Sequence, residues 1–351
     1  LDVEDAEGRP DVAVTKARKL VERDGAQILS GIVSSGVALA VNDYSRSAKV
    51  PLVLSGDAGE TRLTMPGPLE NPYLVRVTQN SRTPSAAGAD WAYHKKGWRK
   101  VVTIGSDYAG GVDVQFEFAR AFCHAGGKVI QAEWAPINTA DFGPYLTNVD
   151  RSADAVVTFE PGADGLRIGR QYKQFGLTQP ILDIYGNIVY PPNLPQIGQS
   201  LLGVYSSLFY SAFLKTPVNE KFVAEFKKRT GGLPSNEGPN GWVGVHAIAD
   251  AIDAVHGNLK DTQKFIAALK AVKFDSPKGE VSLDKYGMVI QTMYIREVEK
   301  VAGGLGNVPI ASYPHVDQFW PFTEAQYLAF KYDYKDGKGM MTDCAKLLAK
   351  K

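Results

Sequence analysis

The chain has 351 residues, enough for about two domains, and its 44% hydrophobic and 22% charged content is that of an ordinary globular protein. With 39 basic against 38 acidic residues the net charge is +1, which argues against a nucleic-acid or anionic-membrane surface. No apolar run approaches the ~18 residues of a membrane helix, and the acidic start Leu1-Asp2-Val3-Glu4-Asp5 is not a secretory leader; an exported form would already have shed one.

In chain order, Pro10 to Arg23 reads as an amphipathic helix with Val14, Ala17, Leu20 and Val21 on one face. A short apolar run, Gln27–Leu29, then enters Ser30-Gly31 as a strand. After the polar turn Ser34-Ser35-Gly36, residues Val37, Ala40, Val41 and Tyr44 fall at the spacing of one buried helix face. Leu52-Val53-Leu54 is the next strand and runs into Ser55-Gly56-Asp57-Ala58-Gly59. Two hydroxyl- and glycine-rich loops thus follow two successive strands, the place where open α/β sheets bind ligands. Ser34 and Ser35 sit at a helix start, where unpaired N–H groups and the helix dipole favour a carboxylate. The plainer reading is that these serines only cap the helix.

Beyond Tyr73–Val77, a strand, Thr83-Pro84 opens a helix that runs to about His94. A second series of strands and helices begins at Lys100. Its strands are Val101–Ile104, ending in Gly105-Ser106-Asp107-Tyr108, then Lys128–Trp134, Ala155–Phe159, ending in Glu160-Pro161-Gly162, Ile181–Ile184, ending in Tyr185-Gly186, and Gly203–Phe209. The alternation predicts a mostly parallel sheet covered by helices. Helices follow at 217–230, 240–256 and 261–272; the second of these is expected to turn Trp242, Val245, Ala249 and Ile252 inward. Gly279–Leu283 and Met288–Val298 read as a hairpin around Tyr286-Gly287. The tail carries Phe319, Trp320, Phe322, Tyr327, Phe330, Tyr332 and Tyr334, which are expected to pack onto the body.

The motifs of the common catalytic classes are missing. There is no GxGxxG, Walker A, GxSxG or HExxH. The five histidines, His94, His124, His246, His256 and His315, lack metal spacing, so no metal and no cofactor is assigned. Without a nucleophile, a base or a metal to name, binding is the expected function and no enzyme activity is assigned. Cys123 and Cys344 are the only cysteines. A staple from tail to body and two separate thiols are both open, because spacing does not fix connectivity.

The segments VEDAEGRPDVAVTKARKLVERDGAQILSG, VPLVLSGDAGETRL, YLVRVTQNSRTPSAAGADWA, VVTIGSDYAGG and FGLTQPILDIYG, in this order, resemble the periplasmic solute-binding proteins of branched-chain amino acid ABC transporters. The resemblance implies two Rossmann-like α/β lobes of the type I periplasmic binding fold, a hinge of three crossings, and a ligand cleft between the lobes. It implies a monomer that delivers a small carboxylate to a membrane ABC permease from the periplasm. The lobes would comprise residues 1–80 with 211–283 and residues 81–210 with 284–351, the first hinge lying near Asn80 and the second near Ser206–Tyr210. The family pattern also carries a strand and a helix ahead of the VED segment that this sequence does not include. Carried over position by position, ligand contacts fall on Ser34, Ser35, Ser55, Gly56 and Asp57 in the first lobe and on Tyr108, Phe159, Glu160 and Tyr185 in the second.

One departure bears on the ligand. Where amino-acid binders of this type hold the α-ammonium with an acidic side chain, this sequence aligns Tyr185, and Gly59 stands about where a threonine is usual. An ammonium without a charged partner is costly to desolvate, by several kcal/mol. The expectation leans to an aromatic acid without an amine, stacked on Tyr108, Phe159 or Tyr185. An amino acid remains the alternative if Asp57, Glu160 or Asp183 takes the ammonium. A ligand-sensing receptor ectodomain is the alternative of another class.

Overall fold

The computed structural model describes residues 1–331 and 337–350. Residues 1–80 form α1 (Pro10–Arg18), β1 (Leu29–Gly31), α2 (Ser35–Ala48), β2 (Leu52–Leu54) and β3 (Leu74–Arg76). Then come α3 (Arg82–His94), β4 (Lys100–Ser106), α4 (Ala109–Ala125), β5 (Lys128–Ala135), α5 (Gly143–Thr147), β6 (Ala155–Phe159), α6 (Ala163–Gln171), β7 (Ile181–Ile184), α7 (Leu194–Ile197), β8 (Tyr205–Leu208) and α8 (Pro217–Thr230). The remainder is α9 (Glu237–Ala254), α10 (Thr262–Lys270), β9 (Lys273–Ser276), β10 (Gly279–Leu283), β11 (Val289–Val301), β12 (Gly304–Val316), α11 (Glu324–Ala329), α12 (Gly337–Met340) and α13 (Cys344–Leu347).

The chain divides into two compact units, Leu1–Asn80 with Asn236–Gln291, and Ser81–Ser235 with Thr292–Lys351. The units therefore change over after Asn80, Ser235 and Gln291, against expected crossings after 80, 210 and 283. Two local contacts account for the difference. Phe222 of α8 meets Tyr210 edge-on, with centroids 6.5 Å apart, which keeps α8 with the second unit. The β10–β11 hairpin pairs Leu283 with Val289, which keeps the first residues of β11 with the first.

In the first unit β1, β2 and β3 are parallel neighbours in that order. Strand alternation divides their side chains between two cores. Leu29, Leu52, Leu54 and Leu74 meet Ala13, Ala17, Val37, Val41 and Tyr44 of α1 and α2. Val53 and Val75 meet Val243, Ala247 and Ala251 of α9 and Phe265 and Leu269 of α10. The expected inward face of α9 is corrected here. Val245 and Ala249 are exposed, Trp242 and Ile252 are only partly buried, and the sheet-facing stripe is Asn240, Val243, Gly244, Ala247 and Ala251. Close packing selects this smaller face: a side chain at 244 would collide with Ser55. Trp242 instead stacks on His246 at 3.4 Å.

The second unit has the sheet order β5-β4-β6-β7-β8, all parallel, followed by antiparallel β11 and then β12. Val101, Val157, Leu182 and Ile184 face α3 and α4; Val102, Ile104, Val156 and Ile181 face the side of α5 and α6. Helix α4 is buried on nearly every side because the tail covers what the sheet and α3 leave open. Phe319, Phe322, Tyr327 and Phe330 are buried as expected; Tyr332 and Tyr334 lie outside the described residues. The Arg82 guanidinium lies 3.9 Å from the Tyr327 ring centroid and donates to Phe319 O and Trp320 O.

Cys123 at the end of α4 is bonded to Cys344 of α13, 221 residues further along the chain. Closing so long a loop removes much of the unfolded chain's freedom. The paired variant Cys123→Ser/Cys344→Ser is expected to lose about 2–5 kcal/mol of stability, read as a lower midpoint in urea.

Candidate functional site

The candidate residues of the first unit stand on the two loops that leave β1 and β2. Ile32 turns left-handed (φ 70°), and Ser34 is extended (φ −85°, ψ 130°) as the residue preceding α2. Its hydroxyl makes no capping bond to the helix. Among the described residues neither Ser34 Oγ nor Ser35 Oγ has a hydrogen-bond partner; Ser34 is half-buried and Ser35 buried beside the helix start. Ser55 is placed differently. Its Oγ accepts from Gly31 N–H at 3.1 Å and pairs with Ser30 Oγ at 2.9 Å, lacing the two loops together. The Gly31 carbonyl accepts from Ser55 N–H and Gly56 N–H. Gly56 has no room for a side chain, because a Cβ there would lie 2.2 Å from Ile32 O.

Asp57 is half-buried in a ring of amides. Oδ1 accepts from Gln79 Nε2 at 2.9 Å and Asn240 Nδ2 at 2.6 Å, and Oδ2 accepts from Asn236 Nδ2. Lys278, fully buried, donates to Val77 O at 3.0 Å and to Asn240 Oδ1 at 3.3 Å. Burial pushes the Asp57 carboxyl up to about 6, against the pull of the Gln79 and Asn236 donors. Burial likewise brings the Lys278 ammonium down to about 7, with the Asp57 charge opposing. Gln79, Asn236, Asn240 and Lys278 did not stand out in the sequence. The one legible sign was the Asn236/Asn240 pair at i, i+4 across the start of α9, which places both amides on one helix face.

In the second unit the candidates lie at the carboxyl ends of parallel strands. β4 pairs with β5 on one side and β6 on the other. The loops after β4 and β6 therefore leave in opposite directions, the arrangement that opens a crevice in a doubly wound sheet. Tyr108 precedes α4 in extended conformation and its ring stacks on Phe159, with centroids 6.4 Å apart and planes 24° apart. Tyr185 meets Phe159 edge-on at 5.4 Å. Tyr108 is half-buried, whereas Phe159 and Tyr185 are buried. These three rings form one aromatic set.

The acidic groups nearby are poor holders of a cation. Glu160 is fully buried; Ser106 Oγ bonds its Oε2, and its Oε1 has no partner among the described residues. Burial pushes the Glu160 carboxyl up to about 8, Ser106 lowering it and the charges of Asp164 and Asp183 adding to the rise. Asp183 is buried on β7, and its Oδ2 accepts from Ile188 N–H at 2.7 Å and Val189 N–H at 3.2 Å. Burial raises it to about 7 despite those backbone donors and the Arg296 charge. No group of three His, Cys, Asp or Glu side chains among the described residues could hold a metal. No helix among them is long and apolar enough to cross a membrane.

The periplasmic binding protein family model matches residues 1–304. The chain belongs to that family. A Leu/Ile/Val-binding protein homolog from Brucella melitensis is 33% identical over 298 residues, covering 82% of this chain and 74% of that protein. An ABC transporter substrate-binding protein from Sphaerobacter thermophilus superposes with a TM-score of 0.86 at 34% identity, covering 91% of this chain and 88% of that one. A solute-binding protein of an ABC transporter from Rhodopseudomonas palustris, solved with p-hydroxybenzoic acid, superposes with a TM-score of 0.85 at 31% identity, covering 92% and 88%. The two-lobed type I periplasmic binding fold expected from the sequence is thus the fold of this binding protein. Its family is one of substrate-binding transport proteins and implies an extracytoplasmic location.

The buried acids give this binding protein a distinct pH response. Glu160 titrates near 8 in the fold against 4.5 ordinarily. Between those values the folded form keeps a proton that the unfolded chain has released, so stability falls as pH rises through the window. Glu160→Gln, which mimics the protonated acid, is expected to raise the melting temperature at pH 8 and to change it little at pH 5. The difference is on the order of 1–3 kcal/mol, read from melts across pH.

Proposed function

We propose that this protein is the solute-binding component of an ABC importer that captures a small aromatic acid lacking an amine and passes it to a membrane permease. On this reading it works in the periplasm as a monomer and binds without catalysis. Ser34 and Ser35 would donate to the ligand carboxylate, and Tyr108, Phe159 and Tyr185 would meet the ring. The observation that carries the reading is the pairing of an aromatic set with acids that are spent or uncharged. The Asp57 oxygens already accept from three amides, Asp183 from two backbone N–H groups, and Glu160 holds its proton at neutral pH. An ammonium would find no ready carboxylate, whereas rings favour stacking and edge contacts. The Rhodopseudomonas palustris protein solved with p-hydroxybenzoic acid supports the same ligand class.

The second reading is an aliphatic amino acid, favoured by the Leu/Ile/Val-binding name of the Brucella melitensis relative. It requires Glu160 to release its proton to solvent so that its carboxylate can pair with the ammonium. A thermal-shift panel on ligand-stripped protein separates the two, since a ligand at about 100 times its dissociation constant adds roughly 2.7 kcal/mol. Benzoate and 4-hydroxybenzoate are expected to raise the melting temperature, and leucine, isoleucine and valine to leave it unchanged; the reverse pattern sinks the aromatic-acid reading. Ser34→Ala is expected to weaken binding about tenfold, the worth of one charge-assisted hydrogen bond. The free protein should melt unchanged, because that hydroxyl bonds nothing in the fold.

A further inference from the structure

We infer that Asp183 and Arg296 are positioning residues for Tyr185, holding the turn after β7 so that this ring is presented to the ligand in a fixed pose. The inference rests on the reading of Tyr185 as a ligand residue. Its starting point is backbone strain. Tyr185 has φ 71° and Gly186 has φ 70°, two successive left-handed residues. That conformation is natural for glycine and costly for a bulky side chain. Such a residue persists only where its surroundings over-determine it, and such sites cluster where function needs a side chain held in place.

The surroundings of Tyr185 do over-determine it. Its own N–H donates to Ser207 O at 3.1 Å, and Gly186 N–H to Asp183 O at 3.2 Å. Asp183 Oδ2 gathers Ile188 N–H and Val189 N–H, so one buried carboxylate closes the turn from within. The far side of the turn is tied by Asn193 Nδ2 to Asn187 O at 2.9 Å and Asn307 Nδ2 to Val189 O at 2.8 Å. Arg296 reaches in from β11. Its Nε donates to Ser206 Oγ at 3.1 Å and its Nη1 to Tyr210 O at 2.8 Å. The guanidinium then lies against Gly186, where a Cβ would stand 2.1 Å from Nη2. Asp183 and Arg296 are both buried, and the Arg296 charge favours the ionised form of Asp183. Their hydrogen-bond partners are the turn and the strand beside it. What they deliver is the Tyr185 ring, edge-on to Phe159.

The experiment is a double-mutant cycle in the intact protein, titrated calorimetrically with 4-hydroxybenzoate, or with leucine should the thermal panel select it. Asp183→Asn is nearly isosteric and keeps an acceptor for the two N–H groups; Arg296→Met and Arg296→Lys test the charge on the other side. Asp183→Asn and Arg296→Met are each expected to weaken binding about tenfold or more, because a binding side chain held loosely loses its productive pose. Both should quicken amide exchange at Gly186–Val189 in the ligand-free protein, and Arg296→Lys should recover part of the affinity. Tyr185→Ala should weaken binding at least as much, and adding Asp183→Asn to it should cost no further affinity, because the aspartate acts through the ring. Two results would overturn the inference: unchanged affinity in Asp183→Asn and Arg296→Met while Tyr185→Ala weakens binding, or losses that simply add in the double variant. A silent Tyr185→Ala would instead remove the ligand role of Tyr185, and the inference with it.

Discussion

β4 pairs with β5 on one side and β6 on the other, and this reversal of strand order governs the second unit. The chain leaving Ser106 crosses the sheet over one face, and the chain leaving Phe159 departs toward the opposite edge. The gap between those departures is a crevice at the carboxyl ends of the strands, lined by side chains. Tyr108 and Phe159 occupy the two lips and stack on each other. Tyr185 joins them from the next strand, in a conformation its own residue type disfavours. The aromatic set is thus a consequence of strand order first and of residue choice second.

Buried acids set the character of the rest. Glu160 and Asp183 lie at the ends of adjacent parallel strands, where burial denies them water. Each solves the problem differently. Asp183 is held by backbone N–H groups and sits in the field of Arg296. Glu160 has a single serine partner and keeps its proton. In the first unit Asp57 takes a third course, collecting neutral amides with a buried lysine behind them. A carboxylate satisfied by its own fold has little left to offer a ligand cation, and this is the physical ground of the proposal that the ligand is an acid without an amine.

The tail lies on α3 and α4 and completes a core that the sheet alone leaves open. Glu117 and Arg120 of α4 and Arg82 of α3 are all buried beneath it. They survive there because Tyr327 OH bonds Glu117 at 2.7 Å and the arginines donate to carbonyls of Phe319, Trp320 and Leu347. The bond from Cys123 to Cys344 fastens the far end of the same surface. The match to the family model ends at residue 304, ahead of this tail.

Most of the order of strands and helices was legible in the sequence because each depends on local spacing, but β9 and β12 were not read there. Val37, Val41 and Tyr44 mark the buried face of α2, and the loops after β1 and β2 announce themselves by serine and glycine. The ordered segments that resemble solute-binding proteins carried the family as well. Composition could not decide which face of α9 turns inward, because its small residues win only when Ser55 presses against Gly244. Nor could it show that Asp57 would be met by Asn236 and Asn240 from just over half the chain away, or that Cys123 would find Cys344. Periodicity records what a segment buries, whereas hydrogen-bond partners, charge states and strained turns depend on which distant segments the fold brings within about 3 Å of one another.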